Sequence, residues 1–419
     1  MSVTALLLQL IVILATARAC GWLLRHLGQP AVVGEMAAGL LLGPMVMGAL
    51  FPQWHAQLFS SASVAGLQSL ATVGLVLFMF VVGLELRPHR GVAAQIRSAG
   101  AVGLLSVAVP VLLGLAISPL LHPGLAPAGV GFSPFAGFMA AALSITAFPV
   151  MARILKDRGL TQTAYGQLAM GAAAVVDVVA WILLAFVVAW VGAGEGTMGL
   201  AKTAGGVVGM LALLYFVIKP FFGWLLRRHA PDGEPSATVM AALMLGLLAC
   251  ALLTEWVGLH AVFGAFLFGA CLPRDDRLLD SLAPRIEPLS IVVLMPLFFA
   301  LAGLSTTAEA FAPGSFALGL LIIAVATVGK IVGGAAGARL SGYGWRDSLA
   351  TGSLMNARGL MELIVMKIGL DAGLIGAQLF TMLLLMALVT TAMTGPLLSL
   401  LGGRGASSPQ QTKAGECRS

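Results

Sequence analysis

Apolar stretches long enough to cross a lipid bilayer recur along nearly the whole chain, and this leaves few folds open to it. A helix needs about 20 apolar residues to span the hydrocarbon. Runs of that kind, delimited by charges, Pro and Gly, predict thirteen spans, at about 3–24, 31–50, 64–85, 99–121, 134–155, 165–191, 198–222, 237–256, 259–273, 288–304, 314–338, 348–370 and 376–401. No interval between them is long enough for a soluble domain. Of 419 residues 59% are hydrophobic and only 10% charged, and the mean hydropathy of +1.00 excludes a water-exposed surface. The expected fold class is an all-α polytopic membrane protein, with a transmembrane domain over 1–404 and a short polar tail over 405–419. The first run, TALLLQLIVILATARACGWLL, has neither a basic leader region nor a small-residue cleavage site, so it reads as a retained helix.

Basic residues set the orientation. With the N-terminus outside, eighteen Lys and Arg fall in inside loops, among them Arg87, Arg90 and Arg97 after the third span and Arg227 and Arg228 after the seventh. Only Lys202 falls outside, and the bias holds at every alternate loop, which a wrong helix count would scramble. The net charge of +6 therefore comes from loops on one membrane face, and no nucleic-acid partner is expected. Cys20, Cys250, Cys271 and Cys417 share no metal-ligand spacing. There is no HExxH, and of the six histidines only His260 falls in the predicted membrane interior. Neither an enzyme nor a cofactor is expected.

A charge near the bilayer centre costs roughly 2.5–3.5 kcal/mol on insertion scales, so each one retained there needs a reason. Glu85 lies at an inside end, and Glu255 and Lys367 lie near outside ends, where snorkelling or an interfacial partner suffices. Glu35 begins a short span and reads as a local cap or pair. Arg358 and Glu362 are four apart in NARGLMELIV, so on a helix they share a face; a structural salt bridge and a substrate contact both remain open. Asp177 and Lys330 differ, because each sits well inside a long span with no opposite charge nearby in sequence. Their partners must come from other helices or from a transported ion.

Two spans carry interruptions. In AALSITAFPVMARIL, Ser144 and Thr146 precede Pro149, which removes a backbone donor and clashes with the preceding turn. In ATGSLMNARGLMELI, the run Ser353, Asn356, Arg358 and Gly359 weakens the helix similarly. These are the fifth and twelfth spans, seven apart and so of opposite topology. Spans 2–6 and 9–13 then form inverted five-helix repeats, an arrangement in which broken helices aim dipole ends and free carbonyls at a mid-membrane ion site. Glycine- and alanine-rich runs such as VGKIVGGAAGARL suit the close helix contacts of a packed bundle.

At these residues the sequence resembles the monovalent cation/proton antiporter-2 family of the sodium/proton exchanger superfamily. The resemblance runs from about Gly21 to Leu401 in the blocks LGQPAVVGEMAAGLLLGP, LATVGLVLFMFVVGLEL, LSITAFPVMARIL, TEWVGLHAVFGAFLFGACLPRD, PLFFALAGL and LMNARGLMELIV. It implies the sodium/proton-antiporter fold, with two crossing broken helices beside the sixth span, a separate dimerisation bundle and a homodimer. It also implies that Asp177 is the aspartate that takes either a monovalent cation or protons. Ser144 and Thr146 lie in the adjoining broken helix, and Lys330 is the basic residue of the eleventh span that faces the site. Val176 departs from the family, whose members usually place Asp, Asn or Gln before that aspartate; where the residue is acidic it pairs with the lysine and transport is electrogenic. Lys367 departs too, standing where the family has Asn. Some potassium-efflux relatives carry a cytosolic nucleotide-binding domain, and none is expected after this short tail. The expected location is the inner (plasma) membrane of a bacterium, with the C-terminus cytoplasmic.

These residues predict competition at one site. Desolvation favours the protonated form of a buried carboxyl and a nearby ammonium favours the carboxylate, and the two effects oppose each other at Asp177. The expected cycle is electroneutral one-for-one exchange of Na+ or K+ for a proton by alternating access, with Arg358 and Glu362 as supporting charges. The alternatives are an antiporter fold with a larger or organic cation as substrate, and a cation channel; the chain lacks the repeated carbonyl filter of the latter.

Overall fold

The computed structural model describes residues 3–85, 93–161, 163–173, 175–176, 179, 205–206, 208–230, 232–256, 261–273 and 276–401. Among these residues every regular element is helical. The first half contains α1 (Val3–His26), α2 (Ala31–Leu42), the short α3 (Met47–Leu50) and α4 (Pro52–Leu58), then α5 (Ser61–Glu85), α6 (Ala93–Leu125), α7 (Phe132–Ser144) and α8 (Phe148–Asp157). The second contains α9 (Lys219–His229), α10 (Ala237–Trp256), α11 (Ala261–Cys271), α12 (Asp276–Glu287) and α13 (Met295–Leu304). It closes with α14 (Pro313–Leu340), α15 (Trp345–Met355), α16 (Leu360–Asp371) and α17 (Ala377–Leu400).

Nine helices among the described residues are long and apolar enough to cross a membrane, and they answer to spans 1–4, 7, 8, 10, 11 and 13. The described part of the ninth is α11, and the fifth and twelfth are each split in two, as α7/α8 and α15/α16. The sixth is helical over 164–173 and 175–176. Asp177 lies outside the described residues, as do His260 and the tail at 405–419.

The second span runs over Ala31–Leu50 as expected, interrupted after Leu42 at Gly43 and Pro44. One boundary differs from expectation. The tenth begins near Arg277 and passes through a π-helical turn at Pro288–Leu294 into α13. Its first part was hidden by its charges: Leu278, Leu282 and Ile286 are buried on one face at four-residue spacing while Arg277 and Arg285 point away.

The helices sort into two bundles. In one, α6 packs on α7 and α14, α14 on α15 and α17, and α16 on α7 and α17. In the other, α2 packs on α1 and α13, and α5 on α11 and α13. Contact between the bundles includes α17 against α2. Lipid gives no hydrophobic drive for helices to associate, so small residues that admit close backbones carry the packing. Gly329, Gly333 and Gly337 line the face of α14 that meets α6 at Pro110, Leu105 and Val102 in turn. A Cβ at Gly337 would lie 2.5 Å from the Val102 Cα, and one at Gly334 would lie 2.9 Å from the Gly352 Cα. This seam draws Lys330, the residue after Gly329, against α6 and into a fully buried position.

Candidate functional site

The first break follows from Pro149. Its missing N–H and its ring deny the helix to the residue four positions back, and Ile145 is where α7 ends, with φ −73° and ψ 143°. Residues 145–147 have no regular structure, and Pro149 becomes the second residue of α8, where an N–H would have no helical partner in any case. The second break, residues 356–359, has no proline and is held by its neighbours. The Arg358 N–H donates to Thr391 Oγ1 at 2.9 Å, and the same hydroxyl donates to the Arg358 carbonyl at 2.7 Å. Asn356 Nδ2 donates to the Thr390 carbonyl at 3.2 Å. Gly359 admits the crossing itself, since a Cβ there would lie 2.6 Å from Val150 Cγ2.

The breaks are stitched together. The Ala147 N–H donates to the Ala357 carbonyl at 3.2 Å, and Thr146 Oγ1 donates to the Met355 carbonyl, at the end of α15, also at 3.2 Å. In return Arg358 closes the end of α7, with NH1 donating to the Ala142 carbonyl at 3.1 Å and NH2 to the Leu143 carbonyl at 2.7 Å. Each break thus satisfies carbonyls that the other half-helix leaves without an intrahelical donor.

Lys330 comes in from α14. Its Nζ donates to Thr146 Oγ1 at 2.7 Å, to the Ser106 carbonyl at 3.1 Å and to the Ser144 carbonyl. Two cations therefore sit on the C-terminal, negative end of α7. Ser144 enters by its carbonyl, while its hydroxyl donates to Ala141 O at 2.8 Å. The spacing of Arg358 and Glu362 does produce a pair, NH1 to Oε1 at 2.6 Å, with both side chains fully buried. Glu362 lies in the first turn of α16, where the helix end favours a carboxylate. Its Oε2, the Nε of Arg358 and the Oδ1 of Asn356 have no hydrogen-bond partner among the described residues.

The remaining membrane charges stand apart from this cluster. Glu255 accepts from the Ala261 N–H at 2.7 Å, capping α11, and Lys367 pairs with Asp371 at 2.5 Å in a half-exposed position. Glu35 is buried in α2, in the other bundle. The start of the sixth span packs on α6: a Cβ at Gly103 would lie 3.2 Å from the Ala172 carbonyl oxygen and from the Val175 Cβ, and Val176 is fully buried. Of the sequence-derived site residues, Ser144, Thr146, Lys330, Arg358 and Glu362 come together at the crossing. Ser106 and Thr391 were not singled out from the sequence. Pro110, four residues after Ser106, was the available sign of an open carbonyl in α6.

The model of the family described as "Sodium/hydrogen exchanger, transmembrane" matches residues 11–402. The chain belongs to the sodium/hydrogen exchanger family. Within that family it is 37% identical to the Na+/H+ antiporter NhaS4 of Synechocystis, over 94% of this chain and 96% of that one. It is 38% identical to Cation/H+ antiporter 17 of Arabidopsis thaliana and 32% identical to K+/H+ antiporter 1 of Saccharomyces cerevisiae, over 94% and 89% of this chain. It spans about half the length of those two, 48% and 43%. The structure resembles the sodium proton antiporter MjNhaP1 from Methanocaldococcus jannaschii with a TM-score of 0.62 at 14% identity, covering 96% of this chain and 98% of that one. The two share an all-helical membrane fold over nearly their whole lengths.

Proposed function

We propose that this exchanger-family chain swaps a monovalent cation, Na+ or K+, for a proton, one for one, with Asp177 as the group that takes either. The relatives whose names state Na+/H+, K+/H+ and cation/H+ antiport support the reaction class. The observation that carries the site assignment is the charge at the crossing: Lys330 and Arg358 are buried there against the single carboxylate of Glu362 among the described residues. Buried charges in a membrane mark ion and proton pathways and are paired with acids or carbonyls, which makes an acid of the adjoining sixth span a candidate. Asp177 is the only acidic residue between Asp157 and Glu195, and it follows the buried stretch that packs on α6 one turn from Ser106. The first turn of α8 holds no acidic residue, which leaves that positive helix end to favour a carboxylate.

With one exchanging carboxylate, the cation-loaded and proton-loaded states carry the same charge, and a full cycle moves none. Ser144 and Thr146 border the site through the carbonyl and hydroxyl that hold Lys330, and Arg358 and Glu362 keep the two breaks in register. Alternating access comes from movement of the crossing bundle against the second bundle, which the family resemblance implies is the dimer-forming one. The basic-loop bias supports a plasma-membrane orientation with the N-terminus outside and the C-terminus cytoplasmic. Reconstituted protein tests the stoichiometry: exchange in proteoliposomes should be indifferent to an imposed membrane potential, and a rate that tracks the potential sinks the one-for-one claim. Asp177→Asn should abolish cation-dependent proton release from a folded, inserted protein; wild-type exchange by that variant removes Asp177 from the role.

A further inference from the structure

The third seat of the Lys330 ammonium exists because of a proline. In a continuous helix the Ser106 carbonyl would accept the N–H of residue 110, but that residue is Pro110, inside α6, and has none to give. The carbonyl left open takes Lys330 Nζ at 3.1 Å, while the Ser106 hydroxyl is turned back to Gly103 O at 2.9 Å. Pro110 also meets α14 directly, beside the lysine: a Cβ at Gly329 would lie 3.4 Å from its Cα and Cγ. Arg18 of α1 likewise donates NH2 to a backbone carbonyl near a proline, that of Val292 at 2.9 Å, in the π-helical turn just before Pro296.

We propose that Pro110 is a positioning residue for exchange: by withholding its N–H it reserves the Ser106 carbonyl for Lys330 and so holds the ammonium on the broken fifth span. With an N–H at position 110 the helix competes for that oxygen, and the hold of the ammonium on the broken fifth span loosens. Under the function proposed above, on which this inference rests, a displaced ammonium changes the charge balance of the exchange site and so the pH at which proton and cation compete.

The test uses the full chain with Pro110→Ala, and Pro110→Gly as a second variant that restores the N–H without adding a methyl. Thermal unfolding in detergent is measured beside the pH profile of Na+- and K+-driven proton release in proteoliposomes. The expected result is an unfolding temperature equal to or above wild type, because the helix regains a hydrogen bond, with the profile displaced along the pH axis by about half a unit or more. That shift should vanish in a Lys330→Gln background. An unchanged profile in a stable variant overturns the proposal, as does loss of folded protein in both variants, since a restored helical N–H should not harm folding. If instead Asp177→Asn keeps wild-type exchange, the reading of the site has failed; if Asp177→Asn is inactive and the Pro110 profile does not move, only the role of Pro110 has failed.

Discussion

The buried Arg358–Glu362 pair should respond unequally to loss of its two members. Arg358→Met strands the Glu362 carboxylate, whose Oε2 already lacks a partner among the described residues, so that neither oxygen is satisfied. Removing one member of a buried pair costs about 3–5 kcal/mol. The Ala142 and Leu143 carbonyls lose their donors as well, at about 1–3 kcal/mol each. Glu362→Gln is milder. Arg358 keeps both carbonyls, and the amide oxygen can still accept from NH1, so the loss is that of the broken charge pair alone, about 3–5 kcal/mol. The predicted gap is therefore that of the two carbonyls, about 2 kcal/mol or more, with Arg358→Met the worse variant. The double replacement by Met at both positions leaves no charge to strand and should be more stable than Arg358→Met alone. Thermal unfolding in detergent, followed by fluorescence-detected size exclusion, ranks the variants. Equal losses from the two single changes, or a double variant no better than Arg358→Met, would refute the reasoning.

Two further substitutions test neighbouring parts of the site. Thr391→Val removes the hydroxyl that serves both backbone groups of Arg358 and should cost about 2 kcal/mol or more, while Thr391→Ser should stay close to wild type in unfolding temperature and in exchange rate. If Ser behaves like Val, the hydroxyl is not what holds the second break. Val176→Asn restores the polar residue usual in the resembling family and should retain or improve exchange in everted vesicles; collapse of exchange would make the valine an adaptation in its own right.

Much of this architecture can be read from local sequence, because its causes are local. Hydropathy gives the spans, and Pro149 fixes the first break to within one turn, since a proline acts on the residue four positions before it. The Arg358–Glu362 contact follows from helical spacing. What could not be read is which distant carbonyl each buried donor reaches. Arg358 finds Leu143 across 215 positions of sequence, and only the crossing of the two breaks decides it. Thr390, Thr391 and Thr394 look alike in the run TTAMT and are all buried. Yet Thr390 and Thr394 donate to carbonyls of their own helix, while Thr391 alone of the three turns outward to Arg358. Nothing local separates them, because the difference is made by the break that packs alongside.

The seating of Lys330 and the apolar Val176 bear on the same question, whether the lysine exchanges protons. Where an acid precedes the essential aspartate, a lysine paired with it has an anion to release when the proton leaves. Here three acceptors around Nζ among the described residues are two carbonyls and a hydroxyl. A neutral amine has only two N–H for those three oxygens and would turn its lone pair toward one of them. One buried acceptor then goes without a donor, at about 1–3 kcal/mol, before any repulsion is counted. Under the one-for-one exchange proposed above, with Asp177 as the exchanging acid, those seats favour a lysine that serves as a fixed counter-charge to it.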